Sequence, residues 1–321
     1  MKRILCERMT ALSGREDVME IRNAAIVGLG ALGTMYAHYM TKKLGEGAVS
    51  IIADAARCQR YEKDGVFCNG ECCHFTFADG KRARPVDLVI FAVKFGGLQS
   101  AMEEAAPFIG EDTIILSLLN GISSEDFLAE RFGGEKVLLC VAQAMDATRS
   151  GSETKYSHMG SLWIGPREAG QEEKAKAVAA FLKKIGLSYE LAQDMPLRLW
   201  RKLMLNVGVN QVAAVYETGY GGVKHPGEAR DVLIAAMEET LSVGRAAGIA
   251  LTEEDVQHWL HMIGGLADEG LPSMRQDMLS GRPTEVELFA GTIKKLGARY
   301  HVATPVNDLL YKSIRLMEEK K

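Results

Sequence analysis

From Ala24 onward the chain alternates short apolar runs with amphipathic stretches. Ala24–Val27 is apolar, then comes a glycine-rich turn and a helical pattern to about Leu44. Val49–Ala53, Leu88–Val93, Thr113–Leu119 and Val137–Val141 repeat the apolar run. Such runs, without polar alternation, suit strands buried on both faces. The first half therefore predicts an α/β unit, a mostly parallel sheet covered by helices. Asn69-Gly70 inside Val66–Phe77 predicts a hairpin. Met159-Gly160, between Tyr156–Ser157 and Leu162–Ile164, predicts another turn, and Gln171–Ile185 an amphipathic helix.

From about Asp194 the period becomes helical throughout. The expected helices are Pro196–Tyr216, Pro226–Ala247, Glu253–Leu266, Thr284–Leu296 and Pro305–Glu318, with Pro196, Pro226 and Pro305 in first turns. The boundary is expected near Ala192–Met195. This gives a dinucleotide-binding unit over residues 23–193, a helical unit over 194–321, and an N-terminal extension over 1–22, read as an extra helix packed on the first unit.

A length of 321 residues suits two domains. A hydrophobic content of 47% with 25% charged residues permits a large core. The net charge of −4 gives no sign of a nucleic-acid or polybasic membrane surface, though a local phosphate site is compatible with it. Apolar runs stop short of the roughly 18 residues a membrane span needs, and the first 22 residues carry too many charges for a signal-peptide core. A cytoplasmic protein is expected. Six cysteines include no CxxC pair and no histidine at zinc-ligand spacing, so no metal is expected and reduced thiols are the default. A redox role for Cys68 and Cys72 is the lesser alternative. Cys72 and Cys73, adjacent in the hairpin, should point to opposite faces.

Two motifs carry candidate chemistry. The first is Gly28-Leu29-Gly30-Ala31-Leu32-Gly33, which follows a strand and opens a helix. In that context Gly28 makes the tight turn, Gly30 admits a pyrophosphate to the backbone, and Gly33 lets helix and sheet approach. Unpaired N–H groups at the helix start would face the phosphates. A glycine turn that binds nothing is the structural alternative. Asp54 follows the second strand where an acid can bind the ribose hydroxyls of NAD, whereas Arg57 and Arg60 could hold the 2′-phosphate of NADP. A solvated helix face explains the two arginines equally well.

The second motif is LWRKLMLNVGVN, residues 199–210. Lys202, Asn206 and Asn210 fall at i, i+4 and i+8, a narrow polar strip on a helix that is otherwise almost wholly apolar. Asparagine is a poor helix former, and a buried amide needs partners. The row either satisfies itself against neighbouring backbone or faces a polar ligand in a cleft.

With these residues the chain resembles the ketopantoate reductase (2-dehydropantoate 2-reductase) family. The resemblance is carried by GLGALG, AVK (92–94), Leu119-Asn120-Gly121, LWRKLMLNVGVN, LPSMRQDM (271–278) and GRPTEVE (281–287). It implies a Rossmann-type domain followed by an all-helical domain, the site lying between them, and NADPH-dependent reduction of ketopantoate to pantoate in pantothenate biosynthesis. Carried over by position, Lys202 is the general acid at the C2 oxygen, and Asn206 and Asn210 bind the hydroxyl and carbonyl end of the substrate. Ser273 binds its carboxylate. Asn120 touches the cofactor ribose and the substrate, Lys94 lies near the cofactor phosphates, and Glu285 sits by the nicotinamide and orients Lys202. Without the resemblance Ser273 reads as a helix N-cap and Glu285 as a first-turn acid.

Three positions depart from the family pattern. Asp54 replaces the basic residue for the 2′-phosphate, Gln211 rather than proline follows Asn210, and Tyr220-Gly221 replaces an Asn-Gly pair. NAD is therefore an alternative cofactor, and another 2-oxo acid or an opine-type substrate an alternative reaction. A cofactor-binding protein without catalysis is the third reading, and Lys202, Ser273 and Glu285 all speak against it. A homodimer through the helical domain is the expected assembly.

Overall fold

The apolar run Ala24–Val27 is the centre strand of a five-stranded parallel sheet. The computed structural model describes residues 19–78, 80 and 83–320, so most of the expected N-terminal extension lies outside the described residues. The sheet runs Thr76–Ala78, Val49–Ile52, Ala24–Val27, Leu88–Phe91, Ile114–Ser117. The three central strands are nearly all buried, which is why their sequences show no alternation. Asn23 and Asp87 lock the start of the pairing: the Asp87 N–H donates to Asn23 Oδ1 at 2.9 Å, and the Arg22 and Asn23 N–H groups donate to Asp87 Oδ2. Because the strands are parallel, the glycine loop, Asp54, Lys94 and Asn120 all follow strand ends at one edge. Ligands bind at that carboxyl edge in open α/β sheets.

Two further sheets flank this one. The Asn69-Gly70 hairpin forms as expected, both residues taking left-handed φ (50° and 82°) between Phe67–Cys68 and Glu71–Cys72. It pairs with Glu153–Lys155, which in turn pairs with Thr148–Ser150. Thr76–Ala78, expected within the hairpin region, instead forms the edge of the main sheet. Leu139–Met145, Met159–Gly165 and Tyr189–Leu191 make the third sheet, joined to the first by a parallel bridge between Ile115 and Val137.

The turn expected at Met159-Gly160 is not there. Gly160 lies inside a strand with φ 70°, opposite Ala144 at φ 58°, and a Cβ on it would lie 2.1 Å from the Gln143 carbonyl oxygen. The glycine signal marks a close backbone approach within a sheet, not a reversal. In the hairpin Cys72 is exposed and Cys73 buried, as pleating requires. Burial pushes the Cys68 and Cys73 thiols up to about 11 and about 12, which disfavours reactive thiolates.

The helical half is built round Met195–Val215, with Pro196 in its first turn. It crosses Glu228–Ala246 closely. A Cβ on Gly208 would lie 2.9 Å from the Met237 side chain, and one on Gly244 3.0 Å from the Trp200 ring. Glu253–Gly264 begins with a capping box between Thr252 and Asp255. Pro305 opens Pro305–Glu319 as expected, but Pro226 precedes the Gly227 cap and stands outside its helix. The helix expected over Thr284–Leu296 starts later. Glu287–Gly291 forms a π-helical turn before the α-helix Thr292–Tyr300, and the Ala290 N–H donates to the Gln211 side chain at 2.9 Å. A side chain that takes a ladder bond stabilises such a widened turn. The fold is thus a Rossmann-type α/β unit followed by an all-helical one. No described helix is long and apolar enough to cross a membrane.

Candidate active site

At the glycine loop, two glycines are fixed by the chain itself and one is not. Gly28 has φ 98°, and a Cβ there would lie 2.6 Å from Val93 Cγ1. A Cβ on Gly33 would lie 1.9 Å from the Gly28 carbonyl oxygen. Gly30 has an ordinary φ of −73°, and the nearest atom to its Cβ would be 3.8 Å away. Neither backbone nor packing demands glycine there. The open approach it leaves is the cradle a pyrophosphate needs. The helix that follows, Ala31–Leu44, has no side-chain cap and no acid in its first turn, so its first N–H groups are available to an anion. Arg149, absent from the sequence-level site, donates to the Leu29 carbonyl and to Thr34 Oγ1 at 2.8 Å, tying down the loop.

Asp54 caps the helix Ala55–Asp64 by accepting from the Arg57 N–H at 2.7 Å. Its other oxygen accepts from Arg57 Nε at 2.8 Å, and these bonds hold the Asp54 carboxyl below its usual range. The far side of the Arg57 guanidinium donates to Glu104. Arg60 is exposed, its guanidinium 5.3 Å from the Tyr61 ring centre.

On the long helix the polar row makes two separate sets of bonds, one at Lys202 and one through Asn206 and Asn210. Lys202 Nζ donates to the Ala142 carbonyl at 2.6 Å, which ties the helix to Leu139–Met145. Burial lowers the Lys202 pKa, opposed by the fields of Cys140, Glu285 and Glu125. One turn on, Asn206 Oδ1 accepts from Asn210 Nδ2 at 3.1 Å. Asn210 Oδ1 accepts from Ser273 Oγ and from the Met274 N–H, both at 3.0 Å. Ser273 is therefore not the cap of Ser273–Leu279. Pro272 holds that position, and Asn210 reaches across to satisfy the helix start. The Asn206 amide nitrogen is buried with no partner among the described residues.

The two halves meet through side chains far apart in sequence. Asn120 Nδ2 donates to Glu285 Oε2 at 3.0 Å. Lys94 Nζ pairs with Asp277 and lies 3.7 Å from Glu285. Arg282 Nε donates to the other Asp277 oxygen at 2.9 Å. Glu285 is buried in the loop before the π-helical turn, so the first-turn alternative does not describe it. Lys94 is engaged with carboxylates of the helical half. Asp277 and Arg282 sit in the quoted motifs but carried no signal of whom they would meet.

A third group escaped the sequence reading. Ser117 Oγ and Ser124 Oγ are 2.8 Å apart, and Ser124 Oγ donates to Glu125 Oε2 at 2.8 Å. This network lies under the turn that carries Asn120, where the Leu119 N–H donates to Ser117 Oγ. Glu125 is 2% exposed, and its other oxygen has no partner. Burial pushes its carboxyl up to about 7.

A family model described as Ketopantoate reductase PanE/ApbA matches residues 24–169, and one described as Ketopantoate reductase PanE/ApbA C terminal matches residues 194–318. The chain belongs to the ketopantoate reductase family. It is similar to the 2-dehydropantoate 2-reductase of Vibrio cholerae, 25% identical over 235 residues, spanning 73% of this chain and 78% of that one. Among solved structures it is similar to a PanE/ApbA family ketopantoate reductase from Ralstonia eutropha, with a TM-score of 0.80 at 26% identity, covering 93% and 99% of the two chains. The fold is shared with D-mandelate dehydrogenase solved with NADH and anilino(oxo)acetate, at TM-score 0.84, 24% identity and coverage of 93% and 98%. As a member of the ketopantoate reductase family the chain is an oxidoreductase that takes a nicotinamide dinucleotide and a small keto acid.

Proposed function

We propose that this chain reduces a branched 2-oxo acid to its 2-hydroxy acid, with ketopantoate to pantoate as the leading reaction. The observation that carries this reading is the free, buried amide donor of Asn206, one helical turn from the Lys202 amine. An unsatisfied buried donor beside a cation is unfavourable in an empty protein and favourable once a polar, anionic substrate lies against both.

A reduced dinucleotide held by the glycine loop would supply the hydride for the substrate C2. The residues of the chain do the rest. Lys202 donates a proton from Nζ to the C2 oxygen, and its charge stabilises the alkoxide as the carbonyl electrons move to that oxygen. Asn206 Nδ2 binds the hydroxyl or carbonyl end. Asn210 fixes Asn206 and Ser273 in one geometry, and Ser273 Oγ, which donates to Asn210, would turn its one proton to the carboxylate when substrate binds. Glu285 and Asn120 bridge the cleft and set the field around Lys202. The glycine loop holds the pyrophosphate. In this reading residues 23–193 bind the cofactor, residues 194–321 supply the acid and the substrate pocket, and the protein works in the cytoplasm as a homodimer.

A second reading changes only the substrate. The Tyr220 ring packs against Gly270, where an added Cβ would lie 2.7 Å from it, in the loop leading to Ser273. A phenol beside that loop alters the shape of the pocket and favours a 2-oxo acid other than ketopantoate. Assay of ketopantoate beside a panel of aliphatic and aromatic 2-oxo acids separates the two. Lys202→Ala should keep dinucleotide binding and lose turnover on whichever acid is used. Near-normal turnover in that variant would remove Lys202 as the acid, and tight dinucleotide binding without turnover on any acid would favour a non-catalytic role.

A further inference from the structure

Arg57 stands at the adenosine end of the cleft with its guanidinium already occupied. Nε donates to Asp54 and Nη2 to Glu104. Glu104 lies on the helix Leu98–Ala105, its side chain 16% exposed. One of its oxygens also accepts from Ser100 Oγ at 2.9 Å, and the other is buried without a partner. Among the described residues Arg57 is the one cation within ion-pair distance of it. A cavity of about 260 Å³ opens here, and its wall includes Asp54, Glu103 and Glu104 beside Ala53 and Pro107.

Among the described residues the charge balance at this wall is unfavourable to a phosphate. Three carboxylates among the described residues face or flank the cavity, and Arg57 is held by two of them. A 2′-phosphate would meet uncompensated negative charge. For Arg57 to turn toward it, Glu104 would keep the Ser100 hydroxyl and lose its ion-pair partner, which is costly for a largely buried carboxylate. A ribose with a free 2′-hydroxyl has no such conflict. Its hydroxyls would donate to Asp54, which follows the second strand.

We propose that Glu104, acting through Arg57, makes this chain select NADH over NADPH. Asp54 is the direct ribose contact and Glu104 the positioning residue. The inference rests on reading the cleft as the dinucleotide site and is independent of which 2-oxo acid is reduced.

The test is calorimetric titration of the full chain with ADP-ribose and with its 2′-phosphate, which requires no substrate and no turnover. ADP-ribose should bind at least about tenfold more tightly. Glu104→Gln should raise affinity for the 2′-phosphate by about tenfold, with ADP-ribose nearly unchanged. Adding Arg57→Gln to that variant should abolish the gain. A wild-type chain that prefers the 2′-phosphate overturns the proposal without any variant. An unchanged ratio in folded Glu104→Gln, checked by thermal melting, removes Glu104 as the determinant. Failure to bind either ligand overturns the dinucleotide reading of the cleft and this inference with it, whereas binding without reduction of any acid overturns only the proposed reaction.

Discussion

Asn210 donates to Asn206 Oδ1 at 3.1 Å, which leaves the buried Asn206 amide nitrogen without a partner among the described residues. Two residues of the same type, one turn apart, are thus set to different tasks. Asn210 spends its oxygen on Ser273 and the Met274 N–H. Asn206 keeps a donor in reserve.

The two alanine variants should therefore differ. Asn210→Ala removes three hydrogen bonds and strands the buried Met274 N–H, so the fold should lose about 1–3 kcal/mol in denaturant titration. Asn206→Ala exchanges one unsatisfied buried donor for another, because Asn210 Nδ2 then lacks its acceptor. Its stability should change by less than about 1 kcal/mol while KM for the keto acid rises. Equal stability losses with unchanged KM in Asn206→Ala would remove Asn206 from the substrate site.

Lys202 must be protonated to act as the acid. Burial lowers its pKa and Glu285 raises it. The reductive kcat/KM should fall as pH rises, with a midpoint below the ordinary lysine value of roughly 10.4. Glu285→Gln removes a carboxylate that favours the ammonium, so its midpoint should move to lower pH. A profile flat to the ordinary lysine range, or a midpoint that rises in Glu285→Gln, contradicts the assignment.

Glu125 links stability to pH with the opposite sign to a paired carboxylate. In the folded chain its carboxyl holds a proton up to about 7, whereas in the unfolded chain it releases it near the ordinary glutamate value of roughly 4.3. Between those values the folded state binds more protons, so stability falls as pH rises and levels off above 7. The whole change is about 4 kcal/mol. Urea midpoints for the native chain and Glu125→Gln, compared from pH 5 to 8, should converge at the acid end and separate at neutral pH, the variant being more stable there. Parallel curves would show that Glu125 does not titrate in this window.

Gln211 tests a structural role beside the site. It donates to the Val207 carbonyl at 2.9 Å and to Asn307 Oδ1 at 3.3 Å, and accepts from the Ala290 N–H. Gln211→Ala leaves that N–H unsatisfied and should cost about 1–3 kcal/mol in stability. The kcat of the folded fraction should stay close to the native value. A large fall in kcat at full folding would place Gln211 in the catalytic machinery.

The parts legible in the sequence were those whose physics is local. The glycine loop could be read because a tight turn and a helix start fix glycines at set spacing. The Lys202–Asn206–Asn210 strip could be read because helical periodicity alone puts i, i+4 and i+8 together. The parallel sheet showed itself through runs such as Leu88–Phe91, whose two faces are both buried. The family resemblance supplied the roles proposed for Ser273 and Glu285, which local chemistry alone would have read as a cap and a first-turn acid.

The tertiary structure decided what local rules leave open. Gly160 carried a turn signal, but the strand opposite made it a close-approach point instead. Thr76–Ala78 is too short to announce itself and became a strand by finding the edge of Val49–Ile52. The Lys94–Asp277 pair joins residues 183 apart, and Asn120–Glu285 residues 165 apart. Arg57 looked available for a phosphate until Glu104, 47 positions on, was seen to hold it. Periodicity and turn chemistry act over a few residues and can be read from the chain. Charge pairing and burial depend on which distant groups the folded backbone brings within a few ångströms, and that depends on the fold as a whole.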